Sequence, residues 1–443
     1  MLGFVQNWFA PKANPIGVDF GSDSLRMAQV RLINGEYQLA AAASADVPSH
    51  VRNDPQARFA FFVDTVRDLL SQGKFIGRQT VLSLPASMMH IQHLRLPRMD
   101  EQALAKALPW EVRGKIPIDP AAAVLRHVLA GEVYADNDTK LEVIVMAAAR
   151  EIVNQYLAAA AKARLDVVGM NVEPKALIDC FTHIFRRADD AKITNLFVDI
   201  GCNASRAIIA RGEEILFART INIGGEHFNR AVAAAFDIGV QDAKILRLKV
   251  CAAEPATPSQ SQAPSAVDAI TPELTDADTS ADVEDDDQNQ SFALLGAALS
   301  AHARQDTDRR KASDPTIDQL PPSPQPPSSD QQARRIEQAC TQPLMRLIEE
   351  LDLCRRYYES AFPSKPVDRL IFVGGEARQR SLCLRIAREM GLAAQIGDPL
   401  IRMAKTCRIG LESGIDPRQP QPGWAVAIGL SMGPAAVTAE VQS

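Results

Sequence analysis

Aspartate, glycine and serine recur in a fixed order at two places in this chain. VDFGSDSLR runs from Val18 to Arg26 and VDIGCNASR from Val198 to Arg206, with Asp19 and Asp199 180 positions apart. Each segment closes an apolar run. A glycine just after a strand lets the backbone turn and come close to a ligand, and the amides of such a turn can cradle a phosphate. Gly21, Ser22, Asp23 and Ser24 form one candidate loop; Gly201, Asn203 and Ser205 belong to the other. Carboxylates repel phosphate, so the expected role of Asp19 and Asp199 is to hold Mg²⁺ through its waters. Two glycine pairs extend the pattern. Gly224-Gly225 precedes the helical HFNRAVAAAF and is a candidate anion-binding helix start. Gly374-Gly375 follows an apolar strand, where missing side chains let a flat base lie against the backbone. Either Asp-x-Gly segment alone is equally an ordinary turn. Four strand-to-glycine junctions in this order point to a duplicated nucleotide-binding domain with a cleft between its halves.

The elements around these residues alternate between strand and helix patterns, which predicts an α/β fold with parallel strands. Strands are expected at 16–20, 80–84 and 141–148, and a meander at 195–200, 205–210 and 214–222 with Gly201 and Gly212 at its turns. A helix is expected at 58–70 with Phe59, Phe62, Val63, Val66, Leu69 and Leu70 on one face. Residues 100–115 look helical, but Pro109 should break or kink them. Further helices are read at 151–165, 333–361 and 381–390, the last capped by Gly391. A strand at 367–373 runs into Gly374. AVAIGLSM, 425–432, reads as a small-residue helix able to approach another element closely.

Composition bounds the rest. At 443 residues the chain suits two to three domains. Residues 252–330 are Pro/Ser-rich and acidic, the composition of a linker or disordered insertion. They hold 4 basic and 15 acidic residues, a charge of −11, so the rest carries +5 against a total of −6. A short apolar patch there, 292–299, reads as a bland stretch of tether, with a transient helix or docking motif as the other reading. No apolar run approaches the roughly 18 to 20 residues that span a bilayer, and the start MLGFVQNWFAPK lacks the layout of a secretion signal. Seven cysteines without a Cys-x-x-Cys pair fit a reducing cytoplasm and argue against a zinc site. His90 and His93 fall on opposite faces of an alternating segment and do not suit a metal.

On these motifs the chain resembles the PilM family, cytoplasmic actin-like proteins of type IV pilus assembly related to the division protein FtsA. The resemblance runs from about 14 to 432, apart from the insertion. It implies a fold of duplicated actin-like (RNase H-like) halves, with an inserted small α/β subdomain. The expected divisions are an N-terminal segment 1–13, a first half 14–190 with the inserted subdomain at about 87–165, a second half 191–251 and 331–434, the insertion 252–330 and a tail 435–443. Asp19 to Ser24 match the family's first phosphate loop, Asp199 to Gly201 with Ser205 the second, and Gly374-Gly375 the adenosine loop. RTINIGG, 219–225, matches the segment leading into the smaller subdomain of the second half. LPRMDEQALAKALPWEVRGKIP, 96–117, resembles the inserted subdomain, and LDLCRRYYES, 351–360, the helix before the adenosine strand. Arg26 stands where lysine is common. AKILR, 243–247, stands where the family carries Ala-Glu-x-x-Lys beside the ribose, so Lys244 replaces a hydroxyl acceptor and Arg247 falls at the lysine position. Glu173-Pro174 with Ala176 matches a motif that places a glutamate near attacking water, which makes Glu173 a tentative water-positioning residue. Glu-Pro is equally a plain helix start.

The implied function is a scaffold rather than an enzyme, at most a slow ATPase, with ATP and Mg²⁺ closing the cleft. Its implied partner is the N-terminal tail of a PilN-like inner-membrane protein, seated in a groove near 87–128. Other platform or motor proteins of the pilus are further expected partners, self-association is left open, and no nucleic acid is expected. The expected location is cytoplasmic, peripheral to the inner membrane through partners. One alternative is an FtsA-like filament former, although PAAVTAEVQS at the C-terminus is a weak membrane helix and LGFVQNWF at the N-terminus a short one. Another is a sugar or metabolite kinase of the same superfamily, which would need a positioned base and a sugar-binding constellation. The type II secretion protein GspL shares the cytoplasmic fold but normally continues into a transmembrane helix.

Overall fold

The computed structural model describes residues 13–135, 137–184, 192–252, 329–403, 413–416 and 418–433. All of them belong to one compact unit, which leaves out 270–328. The N-terminal segment 1–12, nearly all of the acidic insertion and the C-terminal tail lie outside the described residues.

Two five-stranded sheets repeat one topology. In the first, β1 (Ile16–Phe20), β2 (Ser24–Ile33) and β3 (Glu36–Asp46) form an antiparallel meander; β4 (Gln79–Leu84) and β8 (Asp166–Val172) then add in parallel, giving the order β3-β2-β1-β4-β8. In the second, β9 (Thr194–Ile200), β10 (Ser205–Arg211) and β11 (Glu214–Ile221) form the meander, and β12 (Arg369–Val373) and β13 (Ala393–Ile396) the parallel addition, in the order β11-β10-β9-β12-β13. The duplication inferred from the Asp-x-Gly echo is a duplication of whole sheets. Both aspartates sit near the end of the central strand.

Helices cover the sheets. In α1 (Pro55–Gln72), Phe62, Val66, Leu69 and Leu70 face the first core, and Asp54 caps the start by accepting from the amides of Gln56 and Ala57. α3 (Arg150–Lys162) packs beside it, setting Tyr156 against Phe20 and Phe59. α4 (Glu173–Thr182) follows β8 directly. Beyond β11 come α5 (Gly225–Phe236) and α6 (Val240–Ala252), and after the insertion α7 (Ser329–Ala361) and α8 (Arg380–Met390). A C-terminal helix, α9 (Ala425–Met432), is buried along its length.

Between β4 and β8 the chain departs into an antiparallel sheet of β5 (Met89–Pro97), β6 (Ala123–Ala135) and β7 (Asp138–Ala149), in the order β5-β7-β6, with α2 (Glu101–Glu111) on one face. Leu104 and Leu108 of α2 meet Leu94, Leu96, Val143 and Val145 there. Pro109 does not break α2, which runs two residues past it. A proline in the last turn costs one backbone bond where the helix is already ending. Pro343 likewise lies inside α7. The opposite face of this sheet reaches the second half. Ile144 and Met146 join its core, His93 Nε2 lies 3.0 Å from the Ala218 carbonyl, and Tyr357 of α7 donates to Glu142 at 3.0 Å. His93 is thus a structural residue, turned toward Glu142 at 3.0 Å.

α9 comes from the distal end of the chain yet packs on the first sheet. The Ser431 hydroxyl donates to the Pro15 carbonyl at 2.7 Å and accepts from the Val30 amide at 3.0 Å. Its backbone approaches α4 so closely that a Cβ on Gly429 would lie 3.1 Å from Cys180 Cβ and 2.6 Å from the Ala176 carbonyl carbon. The small-residue reading of 425–432 has this physical basis. Overpacking of this kind costs about 1–3 kcal/mol. Gly429→Ala is therefore expected to lower unfolding stability by that amount in a denaturant titration, and an unchanged midpoint would contradict the close approach.

Candidate functional site

The two aspartate hairpins face each other across a cavity of about 380 Å³. The turn between β1 and β2 supplies Asp19, Gly21, Ser22, Asp23, Ser24 and Arg26, and the turn between β9 and β10 supplies Asp199, Gly201 and Asn203. Glu173, Lys244, Gly374 and Gly375 complete the predicted set on its wall. Three-quarters of the sequence-derived candidates thus converge.

Both loops are held from behind by their carbonyls. Arg58 of α1 donates to the carbonyls of Gly21 at 3.1 Å and Ser22 at 3.4 Å, while its guanidinium lies 4.5 Å over the Phe20 ring. In the second loop, the Gly201 and Cys202 carbonyls accept from the amides of Gly225 at 2.9 Å and Glu226 at 2.8 Å. A trans peptide points its N–H opposite to its C=O. The N–H groups of Ser22, Asp23, Cys202 and Asn203 are therefore turned away from these supports, on loops that line the cavity. That is the donor arrangement an anion requires.

The remaining four candidates lie behind the wall. Ser205 is fully buried and donates to the Ile223 carbonyl at 2.6 Å. Gly224 and Gly225 begin α5, but the Gly225 amide bonds the second loop and the Gly224 amide donates to His227 Nδ1 at 3.2 Å. The helix start expected to bind an anion instead fixes the loop that faces it. Arg247 is buried and holds Glu376 at 2.7 Å and Asn229 at 2.8 Å. It supports the 3₁₀ turn after Gly374, not a ligand. Gly374 itself has φ of +89°, a conformation that favours glycine, and a Cβ there would lie 2.6 Å from the Ile200 carbonyl oxygen. A Cβ on Gly375 would meet nothing within 4 Å, so the backbone there is open to the cavity.

Ion pairs cross the cavity. Lys244 of α6 reaches Asp23 of the first loop at 2.6 Å, and Arg52 pairs with the same carboxylate. At the floor, Arg206 of β10 places Nε and Nη2 at 2.9 and 2.7 Å from one oxygen of Asp199, and Nη1 at 2.7 Å from Glu173 on the opposite half. Arg206 was not among the sequence-derived candidates. Its signal was present, since it follows Asp199 by the same seven positions that separate Arg26 from Asp19. Arg378 was also missed; it lines the cavity near Arg26, and burial together with that second guanidinium lowers its pKa.

Burial dominates the titration of the floor. It pushes Glu173 up to about 8, with Arg206 pulling it down and Asp19 and Asp199 pushing it up further. Asp19 is also raised, by burial first, against the charges of Arg26 and Arg206.

The sequence matches, over residues 17–252, the family described as "Type IV pilus assembly protein PilM". This chain belongs to the PilM family. Among solved structures, the "PilM-PilN type IV pilus biogenesis complex" is similar at 18% identity, covering 95% of this chain and 98% of that one, with a TM-score of 0.65. PilM and this chain therefore share the duplicated actin-like α/β fold. Weaker likenesses are to the ethanolamine utilization protein EutJ from Carboxydothermus hydrogenoformans (11% identity, 96% and 90% covered, TM-score 0.45) and to the cytoplasmic domain of EpsL of the Vibrio cholerae type II secretion system (12%, 51% and 74%, 0.30). No curated protein matches the sequence. Among the described residues no helix is long and apolar enough to cross a membrane.

Glu173 gives a pH test. Its folded pKa lies above the ordinary 4.5, so it stabilises the fold fully below that value and loses the contribution as pH rises toward about 8. The thermal midpoint of Glu173→Gln, which cannot ionise, is expected to compare more favourably with wild type at pH 8 than at pH 5. An equal effect at both values would show that the carboxyl does not titrate there.

Proposed function

We propose that this PilM-family chain is an ATP-binding scaffold of type IV pilus assembly, whose inserted sheet receives the cytoplasmic tail of a PilN-like inner-membrane protein. One observation carries the reading. Two hairpin loops, each with its carbonyls tied back, face a common cavity in a pilus-assembly fold.

ATP supplies a triphosphate and a base that can touch both halves at once. Ser22, Asp23, Cys202 and Asn203 offer backbone donors to the phosphates, and Arg26 and Lys244 offer charge. The open backbone at Gly375 suits the flat base, with Arg378 nearby. Lys244 must exchange Asp23 for a phosphate oxygen, which ties the first loop's occupancy to the position of α6. Asp19 and Asp199, the expected Mg²⁺ carboxylates, both line the cavity, but Arg206 already holds one oxygen of Asp199. Glu173, bonded to the same guanidinium, is suited to joining the halves more than to activating water.

The cavity wall leads into the inserted sheet. Pro85, Ala86 and Ser87 line it, and the next residues enter β5. Glu173 lines the same cavity as Ala86. A shift of the cleft therefore bears on the start of the sheet around 87–128, where the tail is proposed to sit. On this reading the protein is cytoplasmic and held peripherally at the inner membrane by its partner, with other platform or motor proteins reading the same state.

Calorimetric titration with ATP, followed by a peptide of the partner's cytoplasmic tail, tests both parts. ATP is expected to bind, and Ser22→Arg, which fills the first loop, to weaken it at least about tenfold. Trp110, exposed on α2 with Arg113 4.8 Å over its ring, reports on the sheet. Its fluorescence is expected to change with the peptide. A chain that takes neither ligand is not this scaffold.

A further inference from the structure

Each hairpin sets an arginine directly across the ladder from its aspartate, Arg26 opposite Asp19 and Arg206 opposite Asp199. The placements match and the outcomes differ. Arg26 reaches toward Gly423 at the rim, whereas Arg206 turns inward to the floor. There its Nε donates to one oxygen of Asp199, Nη2 is ion-paired with the same oxygen and Nη1 with Glu173, all three side chains being largely withdrawn from water. Its charge also acts on Asp19. A guanidinium keeps its proton throughout the accessible pH range, and its planar fork suits two carboxylates at once. Burial works against its charged form, but the charges of Asp199 and Glu173 outweigh that penalty and raise its pKa.

We propose that Arg206 is the resident cation of this cleft, so that a nucleoside triphosphate binds here without a divalent metal. The inference rests on the nucleotide reading above. Its physical basis is competition for the same carboxylates. A divalent ion held near Asp19 and Asp199 would have to displace the guanidinium from Asp199 or sit beside a like charge in a half-enclosed site, and both are unfavourable. Arg206 also lines the cavity, where its positive charge offsets the carboxylates that would repel phosphate.

The test is a fluorescent ATP analogue titrated into the full chain with excess Mg²⁺ and, separately, with EDTA. Wild-type affinity is expected to agree within about threefold between the two, a difference of well under 1 kcal/mol. Arg206→Ser frees Asp199 and Glu173 and is expected to make binding metal-dependent, at least about tenfold weaker in EDTA. Arg206→Lys keeps the charge and serves as the variant that preserves the floor if the serine variant fails to fold; it should stay metal-independent. Wild-type binding that falls about tenfold or more in EDTA overturns the inference and leaves the nucleotide reading standing. No binding in either condition overturns the nucleotide reading, and this inference with it.

Discussion

Buried carboxylates need a counter-charge, and the whole cleft is organised by that requirement. Asp19 and Asp199 lie near the ends of β1 and β9 and Glu173 begins α4, and the fold brings the three together where the halves meet. Left unpaired, each would carry a desolvation cost of several kcal/mol. Arg206 supplies the charge and, because its partners lie on opposite halves, turns neutralisation into mechanical connection. Lys244 and Asp23 repeat the device nearer the surface, where solvent weakens it. The relative position of the halves is thus written in ion pairs at the cavity and in close backbone packing behind it.

That division explains what the sequence could show. Glycines after strands, and the two Asp-x-Gly echoes, reflect backbone demands that act locally, and they located both loops and the turn at Gly374-Gly375. What the side chains at those loops do depends on elements far away in the chain. Ser205 reads as a ligand and is a loop anchor; Gly224-Gly225 read as an anion site and hold a loop instead. Arg58 sat inside an expected helix with nothing to mark it as the support of Gly21 and Ser22. The strands β2 and β3 escaped notice because much of their length is covered on both faces, which erases the period-two alternation. Arg206 was legible only through the symmetry with Arg26.

The inserted sheet has two allegiances. Covalently it belongs to the first half, leaving between β4 and β8, yet its inner face rests on β11 and α7 of the second. Glu142 is enclosed there by His93, Arg95 and Tyr357. A partner bound to this sheet therefore bears on both halves, and the ion pairs at the cavity floor and the Glu142 cluster form two separate joints along one boundary.

The seating of α9 also governs how the molecule can be made. Val30 and Ser431 are bonded although they lie 401 positions apart, so the first sheet's core is sealed by a helix made long after its own strands. During vectorial synthesis the nascent first half lacks a wall. Contacts of such sequence separation form slowly, and the acidic insertion lies between the two parts that must meet. Sealing of the first sheet therefore comes only after residues 425–432 have been made, when α9 finds the slot prepared by the first strands.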